Sequence, residues 1–350
     1  MNRTRLTGVA AITVTSLLWG TTGTAATFAP DAGPLAIGAA ALGIGGLLQA
    51  LIALPALRAA GPVLRRHAGL VVLGALAVAV YPLAFYSSMH LAGVSVGAVV
   101  SLASAPLASG LLERVVEARP LSRWWMLAAG LGVLGSTLLC LSTAGGPEEA
   151  GLATPAGVLL GLVAGLTYAV YSWAVHRLMS HRAGRAASMG AVFGAGGLLL
   201  MPVLVLTGAP LVASTPAFLV AGYMALVPMF LGYLLFGFGL TRVPASTATT
   251  VTLSEPAVAT VLAVLIVGER LTPLGWTGLA VICAVLVLLA LAPATAPVPT
   301  APIPIRATSP VSTPAHTPPR GARNAAPQRH DTENSFPGHR IHRDEQIIRN

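Results

Sequence analysis

The sequence predicts an all-α polytopic membrane protein of ten transmembrane helices, built as two inverted five-helix repeats and followed by a disordered tail. Of its 350 residues, 55% are hydrophobic and only 9% are charged, whereas soluble domains carry about 25% charged residues. So few charges cannot cover a surface that faces water. The apolar residues also fall into segments of roughly 20 residues, the length at which a helix crosses a bilayer.

Ten apolar segments are predicted to span the membrane. They lie at residues 7–29, 34–57, 68–89, 94–112, 123–141, 156–179, 187–207, 216–239, 244–267 and 273–291. The first segment resembles a signal peptide, because a basic start precedes an apolar stretch and small residues. We interpret it as a retained span, because a second copy of the same segment opens the second half of the chain.

The two halves follow one plan. A shift of 150 residues places Ser104 and Pro106 on Ser254 and Pro256. Because five is an odd number, the second copy must enter the membrane in the opposite orientation, and transporters with inverted repeats bind substrate near mid-depth at the repeat interface. The predicted domains are a first repeat at 6–141, a second repeat at 156–292 and a disordered Pro-, Thr- and Ala-rich cytoplasmic tail at 293–350.

One carboxylate, that of Glu255, is predicted to lie near the middle of the ninth span. A charge at that depth costs roughly 2.5–3.5 kcal/mol, and folding alone gives no reason for it. Pro256 follows and removes a backbone donor, a break that membranes tolerate only beside protein or a water-filled cavity. We therefore expect this helix to line a cavity, with Thr252 one turn earlier on the same face. The alternative is a protonated, structural carboxyl bonded to a neighbouring helix.

The segment LSEPAVATVLAVLIVGERLTPLGWTG, residues 253–278, resembles the last helix pair of EamA-type permeases in the drug/metabolite transporter superfamily. In that pattern a Glu-Pro pair lies in mid-helix and a Gly-Glu-Arg ends the helix, here at Glu269 and Arg270. The first half departs from it, because Ala105 corresponds to Glu255 and Arg119 corresponds to Glu269. The resemblance implies export or uptake of small metabolites or drugs, without specifying which.

The candidate substrate- and proton-binding residues are polar and aromatic side chains within the spans. They are Trp19, Tyr86, Ser104, Tyr168, Tyr171, Thr252 and Glu255. The aromatic rings are suited to stacking on a planar or cationic substrate, although each is equally suited to packing. Competition between a proton and a cationic substrate at Glu255 would couple their flows. The sequence indicates no catalytic residue and no metal ligand.

The favoured function is a secondary transporter, with export as the favoured direction and alternating access as the mechanism. A nucleotide-binding Gly-Lys-Ser/Thr loop is absent from the sequence, so a gradient, most simply of protons, would supply the energy. The expected partners are a small-molecule substrate and the lipid bilayer, with no cofactor, no nucleic acid, and a monomeric or homodimeric chain. Two alternatives stay open: a membrane enzyme acting on lipid-linked substrates, and a sensor or scaffold that transports nothing.

The arginines predict a bacterial cytoplasmic membrane protein with both termini in the cytoplasm. With that orientation, only Arg270 lies on the outer side before the tail, which is a strong positive-inside bias. The twelve arginines on the cytoplasmic side are Arg3, Arg5, Arg58, Arg65, Arg66, Arg114, Arg119, Arg123, Arg177, Arg182, Arg185 and Arg242.

Overall fold

The computed structural model describes residues 3–26, 28–92, 94–118, 120–143, 155–262 and 272–291. Every regular element within these ranges is a helix, which confirms the all-α class. Several predictions fall outside the described residues, namely the disordered tail at 293–350 and the roles of Arg119, Glu269 and Arg270.

The long helical segments of the described chain are labelled α1 to α10. They are α1 (Arg3–Ala26), α2 (Pro34–Ile52), α3 (Ala68–Ala92), α4 (Val94–Val116), α5 (Arg123–Thr143), α6 (Pro155–Ser180), α7 (Arg185–Thr207), α8 (Thr215–Leu240), α9 (Ala245–Val251, Thr252–Ser254 and Glu255–Leu262) and α10 (Pro273–Leu291). Six of them, α1 to α3 and α6 to α8, are long and apolar enough to cross a membrane. For these six the predicted long apolar helix is confirmed, and the ten-span count stays a prediction.

Short helices occur where proline interrupts the chain. Leu54–Ala59 and Gly61–Arg66 follow α2, and each has a proline in its first turn. Proline suits that position because the first amides of a helix have no intrahelical acceptor. The predicted second span at 34–57 is therefore a helix that ends at Ile52 and continues as a separate short helix.

The helix neighbours repeat between the two halves. Helix α6 packs along α3 and α4, and α1 correspondingly packs along α8 and α9. Helix α7 lies along α2, α9 along α4, and α10 along α5. If α1 is exchanged with α6, α2 with α7, and so on to α5 with α10, the same pairs of helices remain neighbours.

One end of the helical body gathers the loops that are rich in arginine. The His67 ring, which follows α2, stacks on the His181 ring, which follows α6, with their centroids 4.1 Å apart. At the end of α4, Glu117 Oε1 lies 3.7 Å from Arg177 Nη1 of α6. Near the start of α1, Gly8 packs against Arg242 of the loop between α8 and α9. We call this the arginine-rich end.

Candidate functional site

A narrow cavity with about 20 Å³ of free space lies between α1, α2, α3, α8 and α9. Among the described residues, its wall is mostly aromatic and aliphatic and contains one carboxylate and no basic side chain. The lining residues are Trp19, Thr22, Gly38, Ala41, Leu42, Tyr81, Pro82, Phe85, Tyr86, Met229, Tyr233 and Glu255. That space holds about one water molecule, so a small-molecule substrate fits here only if the walls of the cavity move apart.

The helices around the cavity are irregular where they border it. Helix α1 has a turn at Gly20 and Thr21, between the lining residues Trp19 and Thr22. Helix α2 widens into a π-helical stretch at Ala39–Ile44, and α8 does so at Ala225–Leu231. Such stretches are often found at functional sites. Here each one contributes a lining residue, so the irregular backbone and the cavity coincide.

The break in α9 is placed by Pro256. Proline has no amide hydrogen, so the Thr252 carbonyl loses its usual helical donor. The backbone N–H of Glu255 donates to that carbonyl instead, and Thr252–Ser254 forms one 3-10 turn. Because the chain tightens here, a new helical segment begins at Glu255 itself, with its side chain at the cavity.

Glu255 is half-buried and lies among the rings of the cavity wall. Among the described residues, no protein group makes a hydrogen bond to its carboxyl oxygens. A buried carboxyl is costly without a partner, and a cation or a proton removes that cost. In the described structure the Glu255 carboxyl therefore has no hydrogen bond that fixes it to a neighbouring helix.

Trp19 is the aromatic residue that joins the wall to the helices behind it. Its ring centroid lies 4.8 Å from that of Tyr233 and 5.5 Å from that of Phe236. Its Nε1–H donates to the carbonyl oxygen of Pro228 at 2.9 Å. Pro228 lies in the π-helical stretch of α8, so the indole ties α1 to the irregular part of α8.

A second layer of tyrosines supports the wall from behind. Tyr168 is fully buried, and its hydroxyl donates to Thr252 Oγ1 at 2.9 Å. The Tyr171 and Tyr233 hydroxyl oxygens are 2.8 Å apart, and Tyr171 is also fully buried. Because Thr252 precedes the break in α9, the hydroxyl of Tyr168 fixes the segment that presents Glu255.

The predicted site residues divide into three groups by position. Glu255, Trp19 and Tyr86 line the cavity, whereas Thr252, Tyr168 and Tyr171 lie behind its wall. Ser104 lies elsewhere, since its hydroxyl donates to the Ser101 carbonyl at 3.2 Å and its Oγ closely faces Gly165 of α6. The structure thus brings six of these seven residues to the cavity or its supporting layer.

Several lining residues were absent from the predicted set, chiefly Tyr81, Phe85, Tyr233 and Thr22. Tyr81 and Phe85 are one helical turn apart and flank Pro82, a pattern that could have indicated a functional face. Tyr233 has no such local signal. In the described part of the chain, no three His, Cys, Asp or Glu side chains come together as a metal site would require.

Comparison with known proteins finds a matching family, a curated relative and a similar solved structure. Residues 155–291 match the EamA-like transporter family. The chain is 35% identical over 289 residues to the "Uncharacterized transporter YwfM" of Bacillus subtilis (strain 168), covering 81% of this chain and 93% of that protein. A solved crystal structure of another protein matches at a TM-score of 0.61 and 20% identity, covering 81% of this chain and 94% of that one. That last likeness bears on the fold alone.

Proposed function

This chain belongs to the EamA-like transporter family, and on that premise we propose that it exports a small cationic molecule in exchange for protons. Membership makes it a multi-pass membrane transporter. The direction, the coupling ion and the substrate class are the proposed part. The cavity at Glu255 would be the site that both ions share, reached in turn from the two sides of the cytoplasmic membrane.

The proposed topology is ten spans in two inverted repeats, residues 6–141 and 156–292, with both termini in the cytoplasm. The family match at residues 155–291 coincides with the second repeat. The exchange of neighbours between the halves supports a two-fold relation. Loops that follow even-numbered helices meet at the arginine-rich end, and the positive-inside bias assigns this end to the cytoplasm.

The observation that carries the proposed substrate class is the single, unpartnered carboxylate in an aromatic wall. Glu255 is the one charged residue among the cavity's lining residues. Tyr81, Tyr86 and Trp19 offer ring faces, which attract cations. When a cation leaves towards the outside, a proton can take its place on Glu255, and the return of the protonated cavity brings one proton inwards. The substrate and the proton then exclude each other at one group.

The test is transport by purified protein in liposomes with an imposed proton gradient. The probes are a panel of compact aromatic and alkyl ammonium compounds, and a pH-sensitive dye reports proton movement. Glu255→Gln keeps the shape of the side chain and cannot titrate, so we expect it to abolish cation-driven proton flux while inserting normally. Asp31→Asn removes an exposed carboxylate outside the cavity and is the matched control. Near-normal, pH-dependent accumulation by the Gln variant would end the coupling hypothesis.

A further inference from the structure

A carboxylate that is more deeply buried than Glu255 lies at the arginine-rich end, on the contact between α4 and α9. Glu113, near the end of α4, is 6% exposed. Its Oε1 accepts the backbone N–H of Ser246 at 2.9 Å, and its Oε2 accepts the Ser246 hydroxyl at 2.8 Å. Both oxygens are therefore engaged by one residue of another helix, 133 positions along the chain.

The partner of Glu113 is the buried first turn of α9, whose backbone amides begin the helix. The first amides of a helix lack intrahelical acceptors and carry partial positive charge. Pro244, the residue that precedes the first turn, makes no side-chain hydrogen bond to cap it. Glu113 thus supplies from α4 the acceptor that a polar capping residue would normally supply from the same helix.

The contact continues along the two helices towards the cavity. One turn beyond Ser246, Thr249 Oγ1 lies 3.2 Å from Ser109 Oγ, and both residues are fully buried. Glu255 follows nine residues after Ser246, about 14 Å along a helix at 1.5 Å per residue. A movement of α4 away from Ser246 would therefore act on the same helix that presents Glu255.

We propose that Glu113 is the gate residue of the arginine-rich end: its hold on the first turn of α9 keeps the cavity closed to the cytoplasm, and its release opens it. The inference rests on the proposed alternating-access function. Helices α4 and α9 belong to different repeats, so opening between the repeats at this end must separate Glu113 from Ser246. The position of the second repeat that corresponds to Glu113 in the sequence is Ala263, so this carboxylate has no sequence counterpart there.

The test measures access to the cavity from each side, without substrate and without a proton gradient. Ala41, a lining residue, is changed to cysteine in a background with Cys140→Ala and Cys283→Ala. A small membrane-impermeant thiol reagent is then applied to inside-out and to right-side-out vesicles. Glu113→Ala removes both acceptors, and we expect at least fivefold faster labelling from the cytoplasmic side with slower labelling from the outside.

Two further variants keep the test decisive. Glu113→Gln preserves size and one acceptor oxygen, and Ser246→Ala removes only the hydroxyl, so each should shift labelling in the same direction by a smaller factor. Ser136→Ala is the control, because it removes a different buried hydrogen bond to α9, from Ser136 Oγ to the Leu253 carbonyl at 3.3 Å, and should leave both rates unchanged.

The outcomes separate the gate from a structural role and from the coupling hypothesis. Unchanged rates in the Glu113 variants would overturn the gate. Equal acceleration from both sides would also overturn it, because general loosening of the fold has that effect. Opposite shifts on the two sides would support it, even if Glu255→Gln transported normally. In that case the coupling hypothesis would fail and the gate would stand.

Discussion

The close crossing of α2 and α7 gives a prediction whose size follows from the structure. Gly190, Gly194 and Gly197 of α7 face α2 at the spacing of small residues that lets membrane helices approach closely. A Cβ added at Gly197 would lie 2.6 Å from the Gly43 carbonyl oxygen and 3.1 Å from the Leu47 nitrogen. Both atoms belong to the backbone of α2, so no side chain can rotate away.

Gly197→Ala must therefore move one helix. Ordinary contacts begin near 3.4 Å, so the carbonyl at 2.6 Å has to retreat by about 0.8 Å. A gap of 0.5–1 Å forfeits roughly a quarter to a half of the dispersion energy of the atoms that separate. Overpacking of this kind costs about 1–3 kcal/mol. Because α2 also supplies Ala41 and Leu42 to the cavity, the displacement should reach the site.

The assay is thermal unfolding in detergent, with Gly222→Ala as the matched control. Gly222 is a helical glycine of α8 with nothing within 4 Å of an added Cβ, so this variant gains helix propensity, up to about 1 kcal/mol, without a clash. Both variants share the gain in helix propensity. The difference between their free energies of unfolding therefore reports the packing cost at Gly197, which we expect to be about 1–3 kcal/mol. If Gly197→Ala proves as stable as Gly222→Ala, the described approach of α2 and α7 is wrong.

Two other predictions concern the wall and the topology. Trp19→Phe removes the donor to Pro228, and Tyr171→Phe removes the hydroxyl paired with Tyr233; each should cost about 1 kcal/mol in thermal unfolding. Only the Trp19 variant should also raise the half-saturating substrate concentration in liposome flux, because Trp19 lines the cavity and Tyr171 lies behind its wall. Equal effects of the two variants on transport would contradict these positions. Cysteines placed at the exposed Asp31 and Arg182, in the cysteine-free background, should label from opposite sides with an impermeant reagent. Labelling of both from one side would refute the topology.

The break in α9 was predictable because its cause is local. Proline has no backbone N–H, so wherever it lies inside a helix the carbonyl one turn earlier loses its donor. The sequence places Pro256 directly after the carboxylate of Glu255. The structure shows in addition that the backbone N–H of Glu255 donates to the Thr252 carbonyl, which would otherwise accept from residue 256. Trp19 and Tyr86 were chosen on residue type alone, and both line the cavity.

The remaining walls were not predictable, because hydrophobic periodicity does not identify the inner face of a membrane helix. Lipid chains are as apolar as a packed leucine, so Tyr233 carries no sign of which way it faces, and Tyr81 and Phe85 offer only their spacing about Pro82. Ser104 shows the converse. A hydroxyl within a span suggested a polar site, yet it bonds within its own helix, where a serine needs no cavity to be satisfied.

In the proposed two-repeat arrangement, the carboxylates on α4 and α9 make the two repeats unequal. Glu255 has Ala105 as its counterpart, and Glu113 has Ala263. A perfectly symmetric pair of repeats would present equal ends to the two sides of the membrane. Here the second repeat carries the acid at the cavity, and the first repeat carries the acid that holds α9 at the arginine-rich end. On the proposed gate and coupling, both groups act through the same helix, so a charge bound at Glu255 should alter the access that Glu113 controls.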